Sequence, residues 1–236
     1  MERLVLVHGS VTNGATTWGA QRPLEERYEV VVLERPGFPP GPAVERVDFD
    51  EHAVWVAERL EPGDHLAGHS YGGVISLLAA AGFLELRSLS VLEPPCFDVA
   101  RGEPAVEAFV AGAIALRREG PGEPEPYLRL FLRAVGSTYD PPSPLPPALE
   151  QGARTLLSER PPYEAKIPLA RLRELPFPKL VVSGAHHAAF DSVCDVLERE
   201  LDAERVVLTG AGHAVQRAPG FNERLLAFLE RASEPK

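Results

Sequence analysis

Short apolar runs alternate with segments of helical periodicity through the first hundred residues and again after residue 178. The run at residues 4–8 is nearly continuous in apolar residues, which is typical of a strand buried on both faces of a parallel sheet. Strands are predicted at residues 4–8, 29–34, 64–69, 88–92, 179–183 and 204–208. This alternation indicates βαβ units, so the predicted fold class is α/β, with a mostly parallel sheet flanked by helices.

The helical segments and the prolines divide the chain into two parts. Helices are predicted at residues 48–60, 71–83, 103–118, 127–135, 188–201 and 219–231. Of the 24 prolines, 16 lie between Pro94 and Pro178, where no βαβ rhythm is present. Because prolines suit helix ends and turns and would break a central strand, we predict a helical lid insertion at 97–176. Residues 1–96 and 177–236 are then the α/β core.

Composition restricts the possible functions. The 236 residues, 44% hydrophobic and 25% charged, suffice for a globular core without disulfides or metal. A net charge of −10 would repel phosphate backbones and anionic lipids, so we expect neither nucleic acid nor membrane as a partner. The two cysteines have no metal or redox spacing, and no signal or membrane segment is evident, so we expect a cytoplasmic location.

The motif with the clearest chemical meaning is Gly-x-Ser-x-Gly at residues 68–72, centred on Ser70. The motif has a function only at a tight turn between a strand and a helix, and a predicted strand and helix flank it here. Such a turn exposes the serine hydroxyl at the end of the strand. Ser70 is therefore the candidate nucleophile.

A serine hydroxyl needs a neighbouring base to remove its proton. His213 lies in the loop after the last predicted strand, and the carboxyl ends of parallel strands share one sheet edge. His213 is therefore the candidate base. We expect the rate of the enzyme to fall at acid pH as His213 is protonated.

These motifs together resemble the α/β-hydrolase family over nearly the whole chain. The resemblance rests on His8-Gly9, Arg35-Pro36-Gly37, the turn at Ser70, and the segment 210–213 ending in His213, in the family's order. It implies a fold trimmed at the N-terminus, since the chain begins at what would be the family's third strand. It also implies oxyanion-hole amides from Tyr71 and Ser10.

The acid that orients the histidine departs from the family's pattern. The family places it after the penultimate strand, but His186 and His187 occupy that place. Glu93, at the end of the fourth predicted strand, is one substitute, because some family members supply their acid there. Asp191 is the second choice, although an acid in a helix's first turn also interacts favourably with the helix dipole. A water or another group orienting the histidine is the third possibility.

No cofactor and no metal are expected. His186 and His187 are adjacent, so they cannot easily converge on one ion, and no carboxylate cluster accompanies them. The resulting hypothesis is a serine hydrolase that cleaves esters, thioesters or lactones of small, mostly uncharged substrates through an acyl-enzyme. Two alternatives remain open: a lyase or cofactor-free oxidase on the same scaffold, and a binding protein without turnover. The sequence does not indicate an oligomeric state.

Overall fold

A computed structural model describes residues 1–234, so the predicted core segment 177–236 ends outside the described residues. Its strands are β1 (Arg3–Val7), β2 (Glu29–Leu33), β3 (His65–His69), β4 (Ser88–Leu92), β5 (Lys179–Ser183) and β6 (Glu204–Val207). They form one sheet in the order β2, β1, β3, β4, β5, β6, and every neighbouring pair is parallel. The predicted α/β class is confirmed. The order in which strands join the sheet reverses at β1, because β2 lies on one side of β1 and β3 on the other.

Nine α-helices accompany the sheet within residues 1–234. They are α1 (Gly14–Thr17), α2 (Phe49–Ala57), α3 (Tyr71–Gly82), α4 (Pro104–Glu119), α5 (Pro124–Ala134), α6 (Pro147–Ser158), α7 (Leu169–Glu174), α8 (Ala188–Leu201) and α9 (Phe221–Ser233). An eight-residue 3-10 helix, Gly19–Glu26, precedes β2. No helix in this part of the chain combines the length and hydropathy that a membrane span would need.

The core forms on both faces of the sheet because strand residues alternate between them. Val5 and Val7 of β1 pack in a cluster with α2, α3 and α8. Leu4 and Leu6 face the opposite way, where they join the 3-10 helix and α9. Burial on both faces explains why β1 appears in the sequence as a nearly continuous apolar run. Strands β3, β4 and β5 are buried throughout as well, although they include polar residues such as Ser88 and Ser90.

The segment 97–176 contains α4 to α7 and no strand. Helices α5 and α6 pack on each other around Leu128 and Leu156, in a small cluster that also includes Val11 from the loop after β1. Helix α4 packs against α8. The segment therefore adjoins the carboxyl end of the sheet, and its role as a lid remains a prediction.

Several helix predictions differ from the structure. Helices α1, α6 and α7 were not predicted, although Pro147 suits the first turn of α6. Helix α2 ends at Ala57, three residues before its predicted end. Helix α5 starts at Pro124, three residues before its predicted start. Helix α9 begins after Gly220, whose φ of +81° is left-handed, so Pro219 precedes the helix and is not in its first turn.

Candidate active site

Ser70 lies at the turn between β3 and α3 with a left-handed φ of +53°. A non-glycine residue holds this φ only when its surroundings fix it. A Cβ on Gly68 would lie 2.3 Å from the carbonyl oxygen of Gly72, and one on Gly72 would lie 2.4 Å from that of His8. Glycine at these two positions therefore lets β3, α3 and the loop after β1 meet closely, which produces the sharp turn.

His213 meets Ser70 across this turn. Its Nε2 lies 2.9 Å from the Ser70 Oγ, close enough for the hydroxyl to donate a hydrogen bond to the ring. The backbone of His213 is fixed as well, because its carbonyl oxygen lies 2.9 Å from the Nε2 of His69. The two residues are 143 positions apart in the sequence, and the sheet brings them together as the sequence predicted.

Glu93 lies on the other side of the His213 ring. It directly follows β4, is fully buried, and has a left-handed φ of +49°. Its Oε1 accepts a hydrogen bond from the Gly184 amide at 2.6 Å, and its Oε2 lies 3.5 Å from the His213 Nδ1. Ser70, His213 and Glu93 therefore form a continuous line of contacts at the carboxyl ends of β3, β6 and β4.

Asp191 does not join this line. It lies in the first turn of α8, and within residues 1–234 no hydrogen bond or ion pair joins its carboxylate to His213. Its position fits a favourable interaction with the helix dipole. Of the two acids the sequence offered, only Glu93 contacts the histidine.

The buried Glu93 carboxylate is held in its charged form. Burial raises its pKa, but the contacts with His186, His213 and the Gly184 amide outweigh burial and lower the pKa to about 2. Because the Glu93 pKa is lower in the folded state, the ionised carboxylate stabilises the fold at pH values above its ordinary pKa of 4.5. That contribution is lost as the pH falls toward 2.

A buried ion pair fixes the loop that carries Ser10. The Ser10 Oγ donates to the Glu159 Oε2 at 2.5 Å, and the Arg35 Nη2 donates to the Glu159 Oε1 at 3.3 Å. Arg35 also donates to the Gly9 carbonyl oxygen at 2.9 Å. Both charged side chains are buried, so breaking the pair would leave an uncompensated charge in the core. Nothing in the sequence around Glu159 indicated this contact.

His186 occupies the place where the family's acid was expected, and it contacts Glu93. Its Nδ1 lies 3.5 Å from the Glu93 Oε2. Ligand atoms of Glu93, His186 and His213 all lie within 4.8 Å of one another, because both rings face the same carboxylate. His187 instead accepts a hydrogen bond from the Ala189 amide. His186 and His187 therefore do not face a common point, and the absence of a metal stays a prediction.

Two cavities meet at Ser70. The first is enclosed between the sheet edge and the segment 97–176, has a volume of about 90 Å³, and also reaches Ser10. Its wall is mostly aromatic and aliphatic: Phe97, Phe109, Leu116, Tyr127, Phe131 and Phe190. The second is an open groove that passes Thr12, Tyr139 and Arg217 and reaches His213. A molecule bound at Ser70 could therefore place an apolar part in the first cavity and a polar part in the groove.

Comparison with known proteins agrees with this fold. Residues 4–221 match the alpha/beta hydrolase family, so the chain belongs to that family and is a hydrolase. The match spans both sides of the helical segment and includes Ser70, Glu93 and His213.

Particular relatives are also known. The chain is 31% identical over 234 residues to a pimeloyl-[acyl-carrier protein] methyl ester esterase of Aeromonas hydrophila subsp. hydrophila, an alignment that covers 89% of this chain and 88% of the relative. A thermophilic esterase from Thermogutta terrifontis superposes with a TM-score of 0.66 at 19% identity, covering 99% and 91% of the two chains. A structure from work on carboxylesterases of Nitrososphaera gargenis superposes with a TM-score of 0.69 at 17% identity, covering 98% of this chain and 91% of the other. The two structures show a shared fold.

Proposed function

We propose that the protein is a carboxylic ester hydrolase in which Ser70 is the nucleophile, His213 the general base and Glu93 the acid that orients His213. The observation that carries this proposal is the 2.9 Å contact between the Ser70 Oγ and the His213 Nε2, with Glu93 on the opposite ring nitrogen. This arrangement leaves Nε2 free to accept the serine proton and lets the carboxylate stabilise the imidazolium that forms.

The reaction has two steps. The Ser70 Oγ forms a bond to the ester carbonyl carbon while its proton moves to the His213 Nε2. The C–O bond then breaks, and His213 gives the proton to the departing alcohol. Water attacks the acyl-enzyme in the same way, releasing the carboxylic acid and restoring Ser70.

The negative charge on the carbonyl oxygen needs donors in both steps. We propose the backbone amides of Tyr71 and Ser10 for this role. Tyr71 is the first residue of α3, so its N–H has no partner within the helix and lies at the positive end of the helix dipole. Glu159 and Arg35 fix the Ser10 loop beside the nucleophile. A fixed donor needs no reorganisation when the charge develops.

The cavities favour esters with an apolar acyl group. The enclosed cavity of about 90 Å³ is smaller than the 300–1,000 Å³ typical of sites for drug-sized ligands, which favours a short or thin acyl chain. The groove beside His213 gives the alcohol a route to solvent. The Aeromonas relative is named for a methyl ester, and a small alcohol of that kind fits this route. We therefore propose esters of small alcohols with uncharged acyl chains as the substrate class.

Labelling and turnover together test this proposal. Incubation with a fluorophosphonate should place one label on Ser70, and the untreated protein should hydrolyse p-nitrophenyl butyrate. The matched control is Ser192→Ala, since Ser192 is half-buried on α8, its hydroxyl donates to the Ala188 carbonyl oxygen, and it lines neither cavity. Labelling without ester turnover would favour a lyase, and neither labelling nor turnover would favour a binding protein. Either result would contradict the proposed hydrolysis.

The enclosed cavity should determine acyl length. Ala113 lines it from α4, so Ala113→Phe would fill part of it. We expect kcat/KM for p-nitrophenyl octanoate to fall by about 10-fold or more, with the acetate nearly unchanged. Ala115→Phe is the matched control, because Ala115 is exposed on the same helix and does not line the cavity. Equal losses for acetate and octanoate would show that the acyl group binds elsewhere.

A further inference from the structure

The Glu93 carboxylate is shared by two histidines. Its Oε2 lies 3.5 Å from the Nδ1 of His213 and 3.5 Å from the Nδ1 of His186. The ring centroids of the two histidines are 5.7 Å apart. His186 reaches neither Ser70 nor the wall of either cavity, so any effect on the chemistry would pass through Glu93.

The other ring nitrogen of His186 also faces an acceptor. Its Nε2 lies 3.0 Å from the carbonyl oxygen of Val135, which ends α5 and lines both cavities. A carboxylate and a carbonyl oxygen can only accept hydrogen bonds, and only the protonated imidazole has a donor on both nitrogens. The two contacts together therefore favour a positively charged His186.

The surroundings of His186 agree with a charged ring. Burial lowers its pKa, but the close contact with the charged Glu93 carboxylate outweighs burial and raises the pKa above its ordinary value. The Asp191 carboxylate on α8 acts in the same direction, as does the Val135 carbonyl. His187 and His213 are the other titratable groups near the ring, and Phe190 packs on it.

We propose that His186 is a positioning residue which, as a cation, holds the Glu93 carboxylate toward His213 and ties it to the end of α5. This inference rests on the proposed function, since it assigns His186 a part in the same site. The cation compensates the buried charge of Glu93, and its bond to Val135 links the cavity wall to the acid. His186 thus lies where the family has its acid, and it positions Glu93, the acid that we propose for this protein.

The pH dependence of kcat/KM tests the charge. His186→Phe keeps a ring of similar size but removes both N–H donors and the positive charge near His213. The acid limb of the profile should move to higher pH by about one unit, because His213 is then protonated more easily beside Glu93. His187→Asn is the matched control, since asparagine can still cap α8, and its limb should not move. A lower kcat with an unmoved limb would mean that His186 only packs, and would overturn the proposal.

A double variant tests whether the effect passes through Glu93. In a Glu93→Gln background, His186→Phe should change kcat by less than about twofold, because the group it positions is already gone. Independent losses that multiply would overturn the proposal.

Histidine NMR tests the charge without relying on activity. The His186 ring, assigned by its absence in His186→Gln, should carry a proton on both nitrogens near neutral pH. Its titration midpoint should fall in Glu93→Gln. A neutral His186 in an active wild-type enzyme would overturn this inference alone, whereas a wild type without ester turnover would overturn the proposed function. The NMR result decides the question even if His186→Phe does not fold.

Discussion

His213→Gln is expected to lower kcat for p-nitrophenyl butyrate by about 10⁴- to 10⁶-fold. Glutamine cannot take the Ser70 proton, although it has a similar reach and can still contact the hydroxyl that now lies 2.9 Å from the ring. The residual rate would come from substrate binding and the oxyanion amides. Steady-state kinetics with circular dichroism would separate this loss from misfolding.

Two comparisons make this result specific. His187→Asn should keep kcat within about threefold, because His187 caps α8 and lies outside the line of contacts formed by Ser70, His213 and Glu93. Ser70→Ala combined with His213→Gln should lose no more than either single variant, because nucleophile and base act as a unit. Multiplying losses in the double variant would mean that the two residues serve different steps, contrary to the mechanism.

Glu93→Gln is expected to lower kcat by about 10³- to 10⁴-fold while leaving the fold intact. The amide oxygen can still accept from Gly184, but the NH₂ group would then face the His213 Nδ1 and favour the wrong tautomer. The imidazolium would also lose its negative partner. Turnover of p-nitrophenyl butyrate and the thermal midpoint, measured on the same sample, would check both statements.

Asp191→Asn is the matched control for this prediction. It removes the carboxylate the sequence offered as an alternative and should change kcat by less than about twofold. A large loss in Asp191→Asn with a near-native Glu93→Gln would reverse the assignment. Near-native rates in both would remove both acids from the mechanism.

The sheet could be predicted from the sequence because short runs rich in strand-forming residues alternate with segments of helical periodicity. The predicted strand ends differ from the structure by no more than one residue. The turn at Ser70 could also be predicted, since the close backbone contacts there require glycine at residues 68 and 72. The pairing of Ser70 with His213 then followed from the shared edge of parallel strands.

The helices and contacts of the segment 97–176 were harder to predict. No helix was predicted at residues 147–158, although proline suits a helix's first turn and α6 starts at Pro147. Glu159 follows α6 and meets Arg35, 124 residues away, through packing that no local pattern encodes. The contact of His186 with Glu93 could not be predicted either, because it depends on how β4 and β5 align.

The most direct test is a crystal structure of the protein inactivated with a butyl fluorophosphonate. We expect the phosphorus to be bonded to the Ser70 Oγ and the phosphonyl oxygen to accept hydrogen bonds from the Tyr71 and Ser10 amides. The butyl chain should lie in the enclosed cavity, with His213 between Ser70 and Glu93. Phosphorus on another residue, or a His213 ring turned away from Glu93 in the adduct, would contradict the account.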